Sequence, residues 1–241
     1  MYSSDDFKAS VYISTDDNVR QLWQQLKGKL MYQDTVPDVD GLMSYIEALS
    51  KQVTTIDEDV TLYRARINES PYKRLSNEEL NAPPPEAAKI GRLNPKGVSF
   101  LYTSSAKELV VKEVRAYMHA KIDIAECRPT KELKIIDLTM NDQVHEKEGH
   151  NFRKVFSDQL SKPAIPNNNE IDYLPTQWLA LYFKRKGFDG IKFRSSYDMN
   201  NNQKYDYNIC FFDPSAFDIS YIETVRVNRI QIDFSKEDEV K

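Results

Sequence analysis

Apolar positions along the chain fall into two periods. Between residues 16 and 33, Val19, Leu22, Trp23, Leu26 and Leu30 recur at helical spacing behind Asp16 or Asp17, either of which suits an N-cap. After Pro37 a second helix, over 40–51, is predicted with Leu42, Tyr45, Ile46 and Leu49 on one face. From Val60 to Ile67 the pattern alternates with β-prone residues, which predicts a strand. Residues 68–96 are polar around Pro83-Pro84-Pro85, and a loop of that length inside a domain is usually functional or mobile. A strand is expected at 98–103. A helix capped by Ser104 or Ser105 then runs to about Ala120, with Leu109, Val110, Val114 and Tyr117 inward. Strands follow at 121–127 and 133–138.

The stretch 139–170 is polar, with one helix at 151–161 and an Asn167-Asn168-Asn169 loop. Pro175 opens a helix that continues to Lys186 and stops at Gly187. Strands at 189–194 and 207–212 flank an Asn200-Asn201-Asn202 loop. The tail, 219–234, is β-like, and its apolar phase slips between Val227 and Ile230, predicting two strands or one strand with a bulge. No internal repeat is present.

Composition narrows the function classes. The chain has 241 residues, 40% of them apolar and 29% charged, enough for one large domain or a domain with a helical appendage. Lys and Arg number 33 against 37 Asp and Glu, a net charge of −4, which excludes a broadly basic nucleic-acid binder. No apolar run approaches the roughly 20 residues of a membrane span, and Met1 to Lys8 is too polar for a secretory signal. With only 7 glycines and neither GxxxxGK[ST] nor GxGxxG, triphosphate loops and dinucleotide fingerprints are absent. Cys127 and Cys210 sit in strand-like stretches and are expected as reduced core thiols of a cytoplasmic protein, where the sequon at Asn68 is idle. His145-Glu146-Lys147-Glu148-Gly149-His150 misses the HExxH spacing by one residue and reads as a solvated loop, so no metal site is expected. His119 reads as an ordinary histidine late in a helix.

Candidate chemistry gathers where strands meet helices. Arg64 lies inside an alternating strand, where a long cation faces a cleft or an anion, or else a sheet edge. Arg92 and Asn94 belong to the turn-rich run Gly91 to Gly97 just before a strand that ends near Tyr102. Glu113 is four residues after Leu109 and four before Tyr117, so it falls on the apolar side of its helix and needs a partner or a task, whereas Arg115 falls off that face. Ser195 and Ser196 close the strand that follows Asp189-Gly190. Two arginines, an aromatic, one inward carboxylate and a serine suit a diphosphate that carries a ribose. Arginine forks hold phosphate oxygens, an aromatic stacks a flat ring, and a carboxylate orients ribose hydroxyls and stabilises an oxocarbenium-like centre. Sugar hydrolases normally show two carboxylates; a good leaving group such as nicotinamide removes the need for the general acid.

These motifs, taken in order, resemble the RES domain. The resemblance rests on Leu62-Tyr63-Arg64, on Gly91 to Gly97 with Leu101-Tyr102, and on Lys112 to Arg115. It continues with Pro175-Thr176-Gln177, with Gly187 to Ile191 and Arg194-Ser195-Ser196, and with Asn208 to Phe212. The chain departs from the family pattern at Ile90, Leu93 and Arg194, where the family often has glycine, an aromatic and proline, and residues 1–60 and 139–170 lie outside it. The resemblance implies an α+β fold with a split mixed β-sheet similar to that of ADP-ribosyltransferase toxins. Here that would be a catalytic domain over 56–241 behind an N-terminal two-helix extension over 1–55. It also implies a cytoplasmic bacterial toxin that cleaves the nicotinamide–ribose bond of NAD+ by hydrolysis or phosphorolysis. NAD+ would be its substrate rather than a cofactor, and an antitoxin protein its partner. Carried over, Glu113 and Tyr102 are the catalytic residues, and Arg64, Arg92, Tyr102 and Ser195 contact NAD+. Two alternatives stay open: an ADP-ribosyltransferase acting on a macromolecule, and a non-catalytic binder of a nucleotide or a protein. The two amphipathic helices either pack on the core or offer a face for self-association or the antitoxin.

Overall fold

A computed structural model describes residues 15–32, 39, 41–139, 147–162, 169–195, 197 and 207–230. The chain is α+β. Helices α1 (Thr15–Tyr32) and α2 (Leu42–Ser50) lead into strands β1 (Val53–Ile56) and β2 (Leu62–Ile67). A short helix α3 (Asn77–Leu80), strand β3 (Leu101–Ser104) and helix α4 (Lys107–Glu113) follow, then strands β4 (Lys121–Pro129) and β5 (Leu133–Asp137). Helices α5 (Lys147–Ser161), α6 (Asn169–Asp172) and α7 (Leu174–Arg185) precede strands β6 (Gly190–Arg194), β7 (Tyr207–Phe211) and β8 (Phe217–Arg226).

The strands form one mixed sheet in the order β1-β5-β6-β7-β3-β2-β4-β8, antiparallel except between β5 and β6. The sheet is split. Between β3 and β2 the ladder is reduced to a single pair, Tyr63 opposite Ser104, whereas β2 pairs with β4 from Leu62 to Ile67. At that weak joint the sheet folds over. Phe211 of β7 and Phe217 of β8 have ring centroids 4.4 Å apart, although four strand spacings of about 4.8 Å would separate β7 from β8 in a flat sheet. The two inner faces thus share a core in which Leu101, Ile135 and Ile209 meet Leu62, Cys127 and Phe217.

The outer face of the β1-β5-β6-β7-β3 half carries the larger core. Trp23 of α1 packs against Phe152 and Phe156 of α5, and Leu42, Ile46 and Leu49 of α2 join Leu179 and Phe183 of α7 in the same cluster. The amphipathic faces of α1 and α2 are therefore covered by this chain's own helices. The outer face of β2-β4-β8 is covered more lightly, with Val110 of α4 on Ala65, Ile122 and Ile124.

Several expectations are corrected. α4 ends at Glu113, not near Ala120, and its N-cap is Ala106; Ser104 belongs to β3. The chain breaks the helix because Arg115 and His119 take left-handed backbone (φ 48° and 66°), and the His119 amide then bonds Val227 O at 2.9 Å. His119 is thus in a turn, and Tyr117, expected inward, is 61% exposed. β1 escapes the pattern because it is four residues long and sits at the sheet's edge, where tertiary pairing with β5 rather than propensity makes it a strand. The polar run 68–96 contains α3, started by a Ser76–Glu79 capping box. α1 already includes Asp16 and Asp17, so neither stands before the helix. The bulge in β8 falls at Ile222, opposite the Ile124/Ala125 step, and β8 is one strand to Arg226; residues 231–234 lie outside the described residues. The same holds for His145, Glu146, Asn167, Asn168, Ser196 and Asn200 to Asn202, and for the side chain of His150. The sequon asparagine is buried, its Nδ2 donating to Asp123 Oδ2 at 2.6 Å and Lys73 O at 2.8 Å. Both cysteines are buried free thiols. No helix among the described residues is long and apolar enough to cross a membrane.

Candidate active site

A cavity of about 330 Å³ opens at the split in the sheet, within the range of small-molecule sites. Arg64 from β2, Arg92, Tyr102 from β3, and Glu113 from the end of α4 all line it. The split itself brings them together: where β3 and β2 part, β3 keeps β7 on one side but loses its strand partner on the other, and Arg64 Nη1 donates to Tyr102 O at 3.0 Å. The Nε of Arg64 is buried with no hydrogen-bond partner among the described residues. A buried unpaired donor is costly, and the Nε–Nη2 edge of a guanidinium is the one that forks onto a carboxylate or phosphate. Burial lowers the Arg64 pKa to about 10, which leaves it a cation at neutral pH.

Glu113 closes the opposite side. Its Oε1 accepts from Ser195 Oγ and from Asn208 Nδ2, both at 2.6 Å. Ser195 Oγ in turn accepts the Tyr197 amide at 3.0 Å, and Ser104 Oγ donates to Asn208 Oδ1. Oε2 of Glu113 has no partner among the described residues.

A third side is lined by Arg92 and Tyr102, and in the Gly91–Asn94 loop that carries Arg92 the polar groups are tied to one another. Tyr102 Oη donates to Asn94 Oδ1 at 2.8 Å and accepts from the Leu93 amide at 3.1 Å. Burial pushes its phenol well above the ordinary tyrosine value, so it stays protonated and its hydroxyl acts as a tether. Gln177 of α7 donates to Gly91 O at 2.7 Å and Asn94 O at 3.1 Å, and Thr176 Oγ1 donates to Arg92 O. A Cβ on Gly91 would stand 2.3 Å from Asn94 Oδ1 and 2.9 Å from Tyr102 Oη, so only glycine fits. Arg92 itself donates to Leu160 O and Lys162 O, both at 2.5 Å, where the last carbonyls of α5 need donors.

The RES domain profile matches residues 61–233, most of the chain. The chain belongs to the RES domain family. No curated protein matches it. Its fold is similar to a chain in the crystal structure of the M. tuberculosis MbcT–MbcA toxin–antitoxin complex, at 11% identity, with 76% of this chain and 91% of that chain covered and a TM-score of 0.40. In this RES domain all five residues singled out in the sequence sit at the split: four line the cavity, and Ser195 stands behind Glu113. Arg115, expected off the Glu113 face, also lines the cavity, because the left-handed turn at Arg115 ends the helix that would have carried it away.

Sequence reasoning placed Thr176, Gln177 and Asn208 in the family motifs without a role in the site, and read Ser104 as a helix cap. The available signal was a lone amide or hydroxyl in an apolar element: Asn208 is the second residue of the strand Tyr207–Phe211, and Gln177 sits on the buried face of α7, 4% exposed. Ser104 was masked by its fitness as a helix cap.

Proposed function

We propose that this RES domain binds NAD+ at the split in its sheet and breaks the nicotinamide–ribose bond. The observation that carries the reading is one cavity lined both by Arg64, whose buried Nε has no hydrogen-bond partner among the described residues, and by Glu113, whose Oε2 has none among them. The guanidinium edge suits the diphosphate, and Arg115 adds positive charge beside it. Glu113 Oε2 suits the ribose, where positive charge develops at C1′ as the bond to nitrogen lengthens. The bonding pair leaves with the ring nitrogen, which becomes neutral nicotinamide, so no general acid is required. Water or inorganic phosphate then attacks C1′, and the attacking oxygen's proton passes to solvent. Glu113 supplies fixed negative charge throughout, with Ser195 and Asn208 holding its other oxygen.

Membership in the RES family supports a toxin whose NAD+ consumption is held in check by an antitoxin, in the cytoplasm where NAD+ is abundant. The purified chain incubated with NAD+ should release nicotinamide. ADP-ribose as the co-product marks hydrolysis, a phosphorylated ADP-ribose formed only with added phosphate marks phosphorolysis, and label on a protein or nucleic acid marks transfer. Glu113→Gln should fold normally and lose about 10²–10³-fold in rate, the usual effect of removing a transition-state charge stabiliser. Near-normal turnover by that variant overturns the assignment.

A further inference from the structure

One row of residues crosses the split. Tyr63 lies opposite Ser104, Ser104 opposite Asn208, and Asn208 opposite Phe193. Ser104 and Asn208 are 3% and 6% exposed, and a carboxamide placed there must have both ends bonded. Those ends differ chemically. A carboxylate only accepts, so Asn208 must present Nδ2 to Glu113; the flipped amide would set oxygen against oxygen. Ser104 Oγ donates to Asn208 Oδ1 and so favours the orientation in which Nδ2 meets Glu113 Oε1 at 2.6 Å. Ser195 donates to that same oxygen. Two donors on Oε1 hold that oxygen in place, and Glu113 lines the cavity.

We infer that Asn208 is a positioning residue that aims the Glu113 carboxylate, and that Ser104 sets the direction of its amide. Asn208 acts through Glu113, so the inference rests on the reading of Glu113 as the group beneath C1′. The other charged or titratable groups that line the cavity with Glu113 are Arg64, Arg92, Arg115 and Tyr102. All four remain in the variants below.

The test uses the full chain with NAD+ as substrate. Asn208→Leu, which keeps the bulk and removes the donor, should lower kcat about 10–100-fold with KM changed less than about threefold, the pattern of a group that matters in the transition state. Asn208→Asp should be poorest near neutral pH and recover as pH falls, because two close carboxylates repel and the new carboxyl donates once protonated. A merely structural role gives no such recovery. Ser104→Ala should lose activity in the same sense, and Ser104→Thr, which keeps the hydroxyl, should restore it. Full kcat in folded Asn208→Leu overturns the inference. If the Asn208 variants fail to fold, equal kcat in Ser104→Ala and Ser104→Thr overturns it instead. Glu113→Gln separates the two levels: turnover by that variant removes the proposed function, whereas an inactive Glu113→Gln beside a fully active Asn208→Leu removes only the positioning role. A readout free of turnover is the carboxyl resonance of Glu113 in protein labelled with ¹³C at glutamate Cδ, assigned by its loss in Glu113→Gln. Displacement of that resonance in Asn208→Leu supports the inference, and an unmoved resonance overturns it.

Discussion

Two walls of the same cavity are built on opposite plans. The Gly91–Asn94 wall is closed on itself: Tyr102 holds Leu93 and Asn94, Gln177 and Thr176 hold the loop carbonyls, and Arg92 reaches away to the end of α5. Arg64 and Glu113, which also line the cavity, are left open: among the described residues the buried guanidinium Nε has no partner and the carboxylate is bonded through one oxygen only. A frame must have its hydrogen bonds made within the protein, since each buried group left bare costs about 1–3 kcal/mol. A group that meets substrate must keep some of its capacity free. Two arginines of one cavity thus have different hydrogen-bond surroundings, and residue type alone does not tell them apart.

The contrast can be broken most sharply at Arg64. Arg64→Ala should weaken NAD+ binding by about 1.5–3 kcal/mol, roughly 10–100-fold in Kd, as read by titration in a Glu113→Gln background. Unchanged affinity would place the diphosphate elsewhere. On the frame side, Gln177→Leu strips Gly91 O of its donor and should cost about 1–3 kcal/mol of stability, measured by urea unfolding, with NAD+ affinity falling only as far as the loop moves. Arg92→Ala should sit between: a loss of about 1 kcal/mol in stability as the α5 carbonyls lose their donors, and a Kd change smaller than that of Arg64→Ala. A larger loss of affinity in Arg92→Ala than in Arg64→Ala would reverse the two assignments. The smallest effect is expected beneath the walls. Burial pushes the Cys127 thiol up to about 12 and raises that of Cys210 further. Both should therefore resist alkylation at pH 8 in the folded protein and react only on unfolding; rapid labelling of either would show that the split opens far more than the closed frame allows.

How much was legible beforehand varies by element. The α7 boundaries were readable because Pro175 and Gly187 mark them locally; Gly187 has φ 84°. The buried faces of α1 and α2 were readable from spacing. Glu113 was placed on the right side of its helix even though that helix stops at Glu113 itself, because Leu109 and Val110 already fix the face. The overextension to Ala120 followed from reading Tyr117 as a core residue, when the left-handed Arg115 turns it out to solvent.

The sequence by itself determined the local periods, the helix ends marked by proline and glycine, the polar residues placed where elements meet, and the family to which their order belongs. Each of these depends on neighbours a few residues away, whose effects are short-ranged and recorded in the chain. Only the tertiary structure decided that β3 and β2 are joined by one pair, that one cavity there is lined by both Arg64 and Glu113, and that Arg92 faces a helix end. It also decided that Ser104, 104 residues before Asn208, orients an amide rather than caps a helix. Those facts depend on which distant groups satisfy one another's hydrogen bonds, and a donor's choice between a phosphate, a carbonyl and a carboxylate is made by geometry that no local pattern carries.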